Sequence, residues 1–321
     1  MVSARKTNPD ESLVQRPATP RPTGLGRRFW RLWHTNENLR GYVLLMPTML
    51  FVVAMLLVSV VTLVAQSFWV DAAPGAAVQY TLDNYAMLLT PEGEMYRVLL
   101  VRSLWMSLVM TVSVILFTYP IAYVLAFHVH KHKVFWLIAI TIPFWTSYLL
   151  RVFSWKVILQ HEGVLNSILM VLGFINEPLD IFLHNRSAVI VTLTHAWAAF
   201  AILPIYVSLE KIDRSLLEAA IDLGDGFMRR FWRITLPLSM PGVLGAILLL
   251  FIRNVGDYVT PALVGGVSGT MLGNLIVSLF TDMSNEPLAA AVSIFMMVSL
   301  TLIVCAFVLL IGGRKRLKGV T

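Results

Sequence analysis

The sequence predicts an all-α, polytopic membrane protein, on three observations. First, the 321 residues are 57% hydrophobic and only 13% charged, with a mean hydropathy of +0.75. A soluble domain of this length needs far more charge to cover its surface. Second, the apolar residues fall in six runs, each long enough to cross a hydrocarbon core about 30 Å thick, which takes a helix of about 20 residues. Third, Lys and Arg accumulate in alternate connections between those runs, as the charge bias of membrane topology requires.

The elements follow in chain order. Residues 1–24 carry Pro, Arg, Thr and Ser without an apolar core, so they read as a disordered tail and not as a signal peptide. Leu25–Leu39 alternates Arg with Trp and Phe, a pattern suited to a short helix at the membrane surface. The spans are Tyr42–Trp69, Leu104–Phe127, Val134–Leu159, Ala188–Leu209, Gly242–Val264 and Leu288–Gly312. They are too long and too uniformly apolar for barrel strands of about 10 alternating residues. The connection Gln160–Ser187 contains GVLNSILMVLGF, which reads as a short helix on the outer face. Asn185-Arg186-Ser187 matches a glycosylation sequon that arises often by chance, and it is given no role.

Charge sets the orientation. The segment before the first span, the connections after the second and fourth, and the C-terminal tail hold nineteen of the 25 Lys and Arg residues. Both termini are therefore expected in the cytoplasm. The formal net charge of +7 reflects topology and calls for no nucleic acid. The expected organisation is a tail and surface helix over 1–40, a six-helix domain over 41–313 with a cytoplasmic loop at 211–241, and a basic tail over 314–321.

Motifs of chemistry are scarce. The chain has no HExxH, GxSxG or intramembrane Asp pair. It also has no GxxxxGK[ST], so hydrolysis of ATP by that route is not expected, and energy for uphill movement of a solute would come from an ion gradient or from a partner. Cys305, the single cysteine, lies in an apolar run and reads as a small buried or lipid-facing residue. His128, His130 and His132 sit among Lys131 and Lys133, which repel a cation, so no metal is expected there. His195 is a lone histidine within a span, suited to a hydrogen bond with a neighbouring helix.

The polar island EAAIDLGDGFMRRFWRITLP, Glu218 to Pro237, stands between two apolar runs. Ser215 with Glu218 fits a capping box for a helix over 216–223. Gly224 stands where a left-handed C-terminal residue is needed. Asp225-Gly226 makes a turn, a basic helix over 227–233 follows, and Pro237 ends the segment. The residues alone leave two readings open: a hairpin that merely links two spans, or a functional element.

The island resembles the EAA loop of membrane permeases from binding-protein-dependent ABC importers. That pattern is Glu-Ala-Ala, three residues, Gly, nine residues, then Ile-x-Leu-Pro. Here it falls on Glu218, Ala219, Ala220, Gly224, Ile234, Leu236 and Pro237. The resemblance implies a type I importer permease fold and a short helix docked on a separate dimer of ATP-binding subunits, shaped by Glu218 and Gly224. It implies a second permease subunit, most simply in a heterodimer, and an extracytoplasmic solute-binding protein. ATP and Mg would be held by the partner, and this chain, with no cofactor, would not be an enzyme. Arg229, Arg230 and Arg233 are left between lipid phosphates and acidic residues of the partner.

Pro143–Asn166, PFWTSYLLRVFSWKVILQHEGVLN, and Gly256–Gly266, GDYVTPALVGG, are similar to permeases of the spermidine/putrescine group, in particular the first permease of a putrescine-type system. So is MLGNLI followed by NEPLAAAVS. Permeases for other small amines, amino-acid-like compounds or opines carry similar text. The resemblance covers roughly residues 40–315. Asp257, an ionisable group within a span, is a candidate for the solute path, unless Arg253, one turn earlier, simply neutralises it. Tyr258, Trp145 and Trp155 offer faces for a cation or serve as interface anchors. Arg151 and Lys156 are expected to snorkel toward the outer surface. An ion-driven secondary carrier is the rival of another class; it predicts matched helix breaks, and the prolines at 47, 120, 143 and 204 do not form a matched pair. A membrane-embedded enzyme is the other rival, disfavoured by the missing catalytic groups.

Overall fold

The computed structural model describes residues 37–70 and 79–317, with side chains described between 41 and 311 outside that gap. The expected N-terminal tail, most of the surface helix at 25–39 and residues 318–321 lie outside the described residues; residues 314–317, expected in a basic tail, continue the last helix, which ends at Leu317. The described chain is helical and contains no strand; Trp69 and Tyr80 form an isolated antiparallel bridge.

The chain divides into two units, one up to Val61 and one from Thr62 onward. The first is the greater part of helix α1, Glu37–Ser67. Its apolar side chains from Tyr42 to Val61 are exposed nearly all round, which suits a helix surrounded by lipid.

The second unit begins with the last turn of α1 and continues with α2 (Asp83–Leu89), α3 (Glu94–Phe127), α4 (Lys133–Thr141), α5 (Tyr148–Leu159) and α6 (Val164–Val171). Then come α7 (Arg186–Glu210), α8 (Arg214–Asp222), α9 (Phe227–Arg230), α10 (Leu236–Val255), α11 (Gly266–Gly269), α12 (Leu272–Thr281) and α13 (Glu286–Leu317). Among the described residues, five helical stretches are long and apolar enough to cross a membrane: 41–67, 91–127, 186–210, 227–255 and 286–311. Two bent pairs add up to two more spans. The expected total of six lies within this range.

Two expected spans are built differently. The third, Val134–Leu159, is not one helix. Pro143 lies in a 3-10 turn, Ile142–Trp145, and the backbone then becomes extended at Thr146 and Ser147. The two halves meet at 83°. The fifth, Gly242–Val264, is too short at one end and too long at the other. Its helix continues from Phe227 and stops at Val255. Beyond it, Pro261–Gly265 and α11 meet α12 at 110°. The prolines show no matched breaks in the sequence, yet two bent pairs exist, because hydropathy averages over the few residues that turn the chain.

Helices α3, α7 and α10 pack on one another around the main core, which contains Met110, Val114, Leu193, Ile205, Leu209 and Leu250. Lipid is as apolar as leucine, so close packing and hydrogen bonds hold such helices together. Small residues permit that approach: Ala122, Ala196, Ala201 and Ala246 are fully buried. At Gly242 a Cβ would stand 2.3 Å from the Pro204 carbonyl oxygen, and its N–H donates to Ser208 Oγ at 3.3 Å. Tyr119 and Ser239 join α3 to α10 by a buried hydroxyl pair at 2.8 Å. A second core joins α2, α3, α12 and α13 through Leu88, Leu99, Leu272 and Val292. There Ser103 Oγ accepts from the Leu272 N–H at 2.7 Å, satisfying a donor at the start of α12.

The connection from 160 to 187 has the short helix expected of it, α6. Buried Asn166 ties it down, donating to the His161 and Leu179 carbonyls at 2.9 Å and accepting from the Leu179 N–H at 3.1 Å. Asn185 of the sequon is a structural residue. Its side chain accepts from the Ala188 N–H at 2.9 Å and caps α7.

Candidate functional site

Two sites emerge, one at each feature singled out in the sequence. The first is the α8–α9 hairpin. Its start differs from the expected capping box. Asp213, not Ser215, is the N-cap, with Oδ1 accepting from the Ser215 N–H at 3.0 Å. Both residue types cap helices well, and the helix starts earlier than the Ser215–Glu218 pairing implied. The backbone hydrogen bond from Ser215 holds the exposed Asp213 carboxyl below the usual carboxylate range.

The end of α8 is as expected. Gly224 has φ +83°, its N–H bonds the Ile221 carbonyl at 2.8 Å, and the Asp225 N–H bonds the Ala220 carbonyl at 2.9 Å. These two bonds are a Schellman ending, which glycine permits at no steric cost. Pro237 does not end the segment. Phe231–Thr235 forms a π-turn in which the Leu236 N–H reaches back five residues to the Phe231 carbonyl. The wider turn lets the chain run through Pro237, whose ring has no N–H to give, into α10.

The hairpin is tied to its neighbours by a polar cluster. Lys133 donates to Glu210 at 2.7 Å and to the Ala126 carbonyl at 3.2 Å. Arg214 donates to the same carbonyl at 3.4 Å and lies 3.3 Å from His130 Nε2. The histidine tract therefore abuts the first residue of α8. On the hairpin itself Ala220 is buried, while Glu218, Ala219 and Gly224 are exposed, as are Leu216, Ile221 and Leu223. Ile234 and Leu236 are half-buried and Pro237 is exposed. An amphipathic helix normally buries its apolar side; α8 leaves much of its own uncovered in this chain.

The second site surrounds Asp257, which is 4% exposed. Tyr148 donates a very short hydrogen bond to Asp257 Oδ2 and lies 2.5 Å from Thr260 Oγ1. Thr260 Oγ1 also donates to Oδ2 at 3.3 Å, and the Val259 and Thr260 N–H groups donate to Oδ1 at 3.0 and 3.4 Å. The carboxylate thus caps the helical turn that follows it. Arg253 does not pair with it: no Arg253–Asp257 ion pair within 4.0 Å exists. Its guanidinium lies instead over the Trp197 ring, 4.2 Å from the centroid, and 5.6 Å from that of Tyr148.

Trp145 stands at the break between α4 and α5, 89% exposed, and Tyr258 is half-exposed. The backbone carbonyl of Tyr258, not its ring, is engaged, accepting from Asn274 Nδ2 at 2.6 Å. Arg151 does not snorkel. It is buried and donates to the carbonyls of Ala196 at 2.7 Å, Phe144 at 3.0 Å and Thr146 at 3.1 Å. The Phe144 and Thr146 carbonyls are free to accept because the helix is broken around Trp145–Ser147, so the arginine closes the break and ties it to α7 through Ala196. His195 accepts from Trp155 Nε1 at 3.0 Å, the interhelical bond expected of it. Sequence reasoning missed Tyr148 and Trp197. Both lie in apolar runs, and only the fold brings Tyr148 to Asp257, 109 positions away, and Trp197 to Arg253.

The architecture is that of a multi-pass helical component of a membrane transport system, with a capped, uncovered hairpin joined to a long span. The family described as the binding-protein-dependent transport system inner membrane component matches residues 35–317, and the chain belongs to it. It is a permease of an ABC importer and resides in the inner membrane. Among its relatives, the spermidine/putrescine transport system permease protein PotB of Salmonella typhimurium is 37% identical over 247 residues, 77% of this chain and 83% of that protein. PotB of Escherichia coli K12 is 36% identical over 237 residues, 74% and 85% of the two chains. The inner membrane ABC transporter permease protein YdcU of the same strain is 29% identical, covering 94% and 98%. A chain of a bacterial ABC transporter involved in alginate import superposes with a TM-score of 0.61 at 20% identity, covering 87% of this chain and 96% of that one. The last comparison bears on the fold alone.

Proposed function

We propose that this permease moves polyamines of the putrescine and spermidine type inward, driven by ATP hydrolysed on separate subunits docked at α8. The observation that carries the docking is the uncovered apolar side of α8. Leu216, Ile221 and Leu223 are 48%, 53% and 87% exposed on a helix whose two ends are fixed, by Asp213 and by Gly224. A short helix held in one conformation with its apolar residues free is prepared for a groove on another protein. Glu218, Ala219, Ala220 and Gly224 shape that element. Ile234, Leu236 and Pro237 carry its movement into α10, which packs on α3 and α7.

The hairpin faces the cytoplasm in this reading, and both termini lie on that side, because the basic residues of 128–133 and 211–233 cluster there. A second permease subunit completes the path, and an extracytoplasmic binding protein delivers the solute. The polyamine assignment is supported by the similarity to the PotB proteins and by Asp257, a buried carboxylate just beyond the end of α10 without a cationic partner within 4.0 Å among the described residues. Asp257 attracts the solute's ammonium groups through its field, while Trp145, Tyr258 and Arg253 border the path.

The test is to express the chain with its genomic neighbours, purify through a tag on this chain in lipid, and identify what accompanies it. A co-purifying ATPase and a second permease are expected. Their absence under conditions that preserve related complexes would overturn the docking role of α8. Solute competition for uptake by an amino-acid-like or opine compound, with none by putrescine or spermidine, would keep the permease and discard the polyamine.

A further inference from the structure

The Arg253 side chain is exposed and has no carboxylate within 4.0 Å among the described residues. It lies on an aromatic floor. The Trp197 and Tyr148 rings are adjacent, 5.3 Å between centroids and tilted by 33°, and Phe200 extends the surface from Trp197 at 5.3 Å. Tyr148 is the residue that hydrogen-bonds Asp257. Aromatic faces next to a carboxylate bind an organic cation. Here the cation already in place belongs to the chain.

We infer that Arg253 is an internal stand-in for the transported amine: its guanidinium covers the Trp197–Tyr148 surface beside Asp257 that an alkylammonium end of the solute takes during transport. The inference rests on the polyamine reading above and adds the contact surface and its competitor.

Three features support exchange over a fixed structural stack. Asp257 accepts four hydrogen bonds from within the chain, so it has little need of Arg253 as a hydrogen-bond donor and acts on a cation through its field. With Arg253 in place the site is neutral. With Arg253 swung outward the nearby Asp257 carboxylate, itself buried, is left without that neighbouring positive charge, which an ammonium group of the solute supplies instead. Finally, Trp197 Nε1 and both amide atoms of Asn254, the residue after Arg253, are enclosed without hydrogen-bond partners. Buried polar atoms are nearly always paired, and these unpaired ones lie on the ring that Arg253 covers and on the residue that follows it. Arg253 returning to the rings after each passage would also keep an empty permease from presenting an open cation site.

The test uses the whole reconstituted transporter and radiolabelled putrescine, with the binding protein omitted in one arm and present in the other. Without the binding protein, Arg253→Gln should bind putrescine about two- to fivefold more tightly than the unaltered chain, the scale of one solvent-exposed cation–π interaction removed from the competitor. Arg253→Lys should stay near the unaltered value. Trp197→Leu added to Arg253→Gln should abolish the gain. Arg253→Met keeps the apolar stem and serves if the glutamine variant assembles poorly. Unchanged or weaker binding in assembled Gln and Met variants would overturn the inference, as would a gain that survives loss of Trp197. Failure of both variants to assemble would show a structural anchor and overturn it as well. With the binding protein present, absence of any polyamine uptake by the unaltered transporter would remove the polyamine reading itself; normal uptake alongside unchanged variants would remove only the role of Arg253.

Discussion

Lys133 Nζ lies 2.7 Å from Glu210 Oε1, and this pairing joins the start of α4 to the last residue of α7, just before α8 begins. The same ammonium group holds the Ala126 carbonyl that Arg214 approaches from α8. Both charges are partly exposed, so the pair contributes about 0.2–1 kcal/mol at most. Glu210→Gln should therefore lower the melting temperature of the complex only slightly, and its larger effect should fall on coupling. Uptake per ATP hydrolysed should drop, and the charge exchange Lys133→Glu with Glu210→Lys should recover part of it. A ratio unaffected by Glu210→Gln would place coupling entirely in the hairpin.

Gly224 has open space where a Cβ would go but a φ of +83°. Gly224→Ala thus meets no clash and costs about 1–2 kcal/mol in backbone strain alone. It should loosen the end of α8 while leaving some transport. Gly224→Asp adds a charge on the docking surface and should uncouple ATP hydrolysis from uptake. Uptake assays of the two variants at matched expression compare these outcomes; equal loss in both would mean that only the backbone matters there.

The cap at Asp213 gives a pH dependence with a definite sign. Its folded-state pKa is depressed by the Ser215 hydrogen bond, so the stabilisation is full above the unfolded value of about 4. It is lost as pH falls through the lower folded value. Hydrogen-exchange protection of α8 should therefore not change from pH 5 to 8 on account of this group, and Asp213→Ala should lower it across that whole range. Asp213→Asn, also a good cap, should keep most of it.

At the crossing of α7 and α10, a Cβ on residue 242 would meet the Pro204 carbonyl at 2.3 Å and Ser208 Cβ at 2.5 Å. The nearest obstacle is backbone, so a larger residue has to move a helix. Overpacking of this kind costs about 1–3 kcal/mol. Gly242→Val should reduce thermal stability of the purified complex by that order, measured by loss of the monodisperse peak on heating, and Gly242→Ala by less.

Around Asp257 the hydroxyl and the charge are separable. Tyr148→Phe removes one hydrogen bond to a charged group, an effect of about 1.5–3 kcal/mol, and should destabilise the complex. Asp257→Asn keeps the shape while removing the charge. It should lower polyamine uptake without lowering assembly; uptake kinetics indistinguishable from the unaltered chain would exclude Asp257 from the solute path.

What is legible in the sequence is what local chemistry decides. The Schellman ending at Gly224 needs only residues 220–225, and the apolar runs need only counting. Residues whose partners are distant are illegible. Arg151 reads as a snorkelling cation until Ala196, 45 positions away, supplies its acceptor. Arg253 and Asp257, one turn apart in a helix, read as a pair, but the helix stops at Val255 and sends them to different partners. Pro237 reads as a stop because a π-turn has no sequence signature. Pro143 lies at a real break, but so uniform an apolar run gives no sign of which proline turns the chain.

The central claim is that α8 couples ATP hydrolysis on another subunit to passage through this one. The most direct measurement is ATPase activity of the purified complex in lipid, with and without putrescine-loaded binding protein, in the unaltered chain and in Glu218→Lys. Stimulation by the loaded binding protein, lost in Glu218→Lys while the permease remains folded, is the predicted result. Stimulation and uptake unchanged by that substitution would contradict the claim.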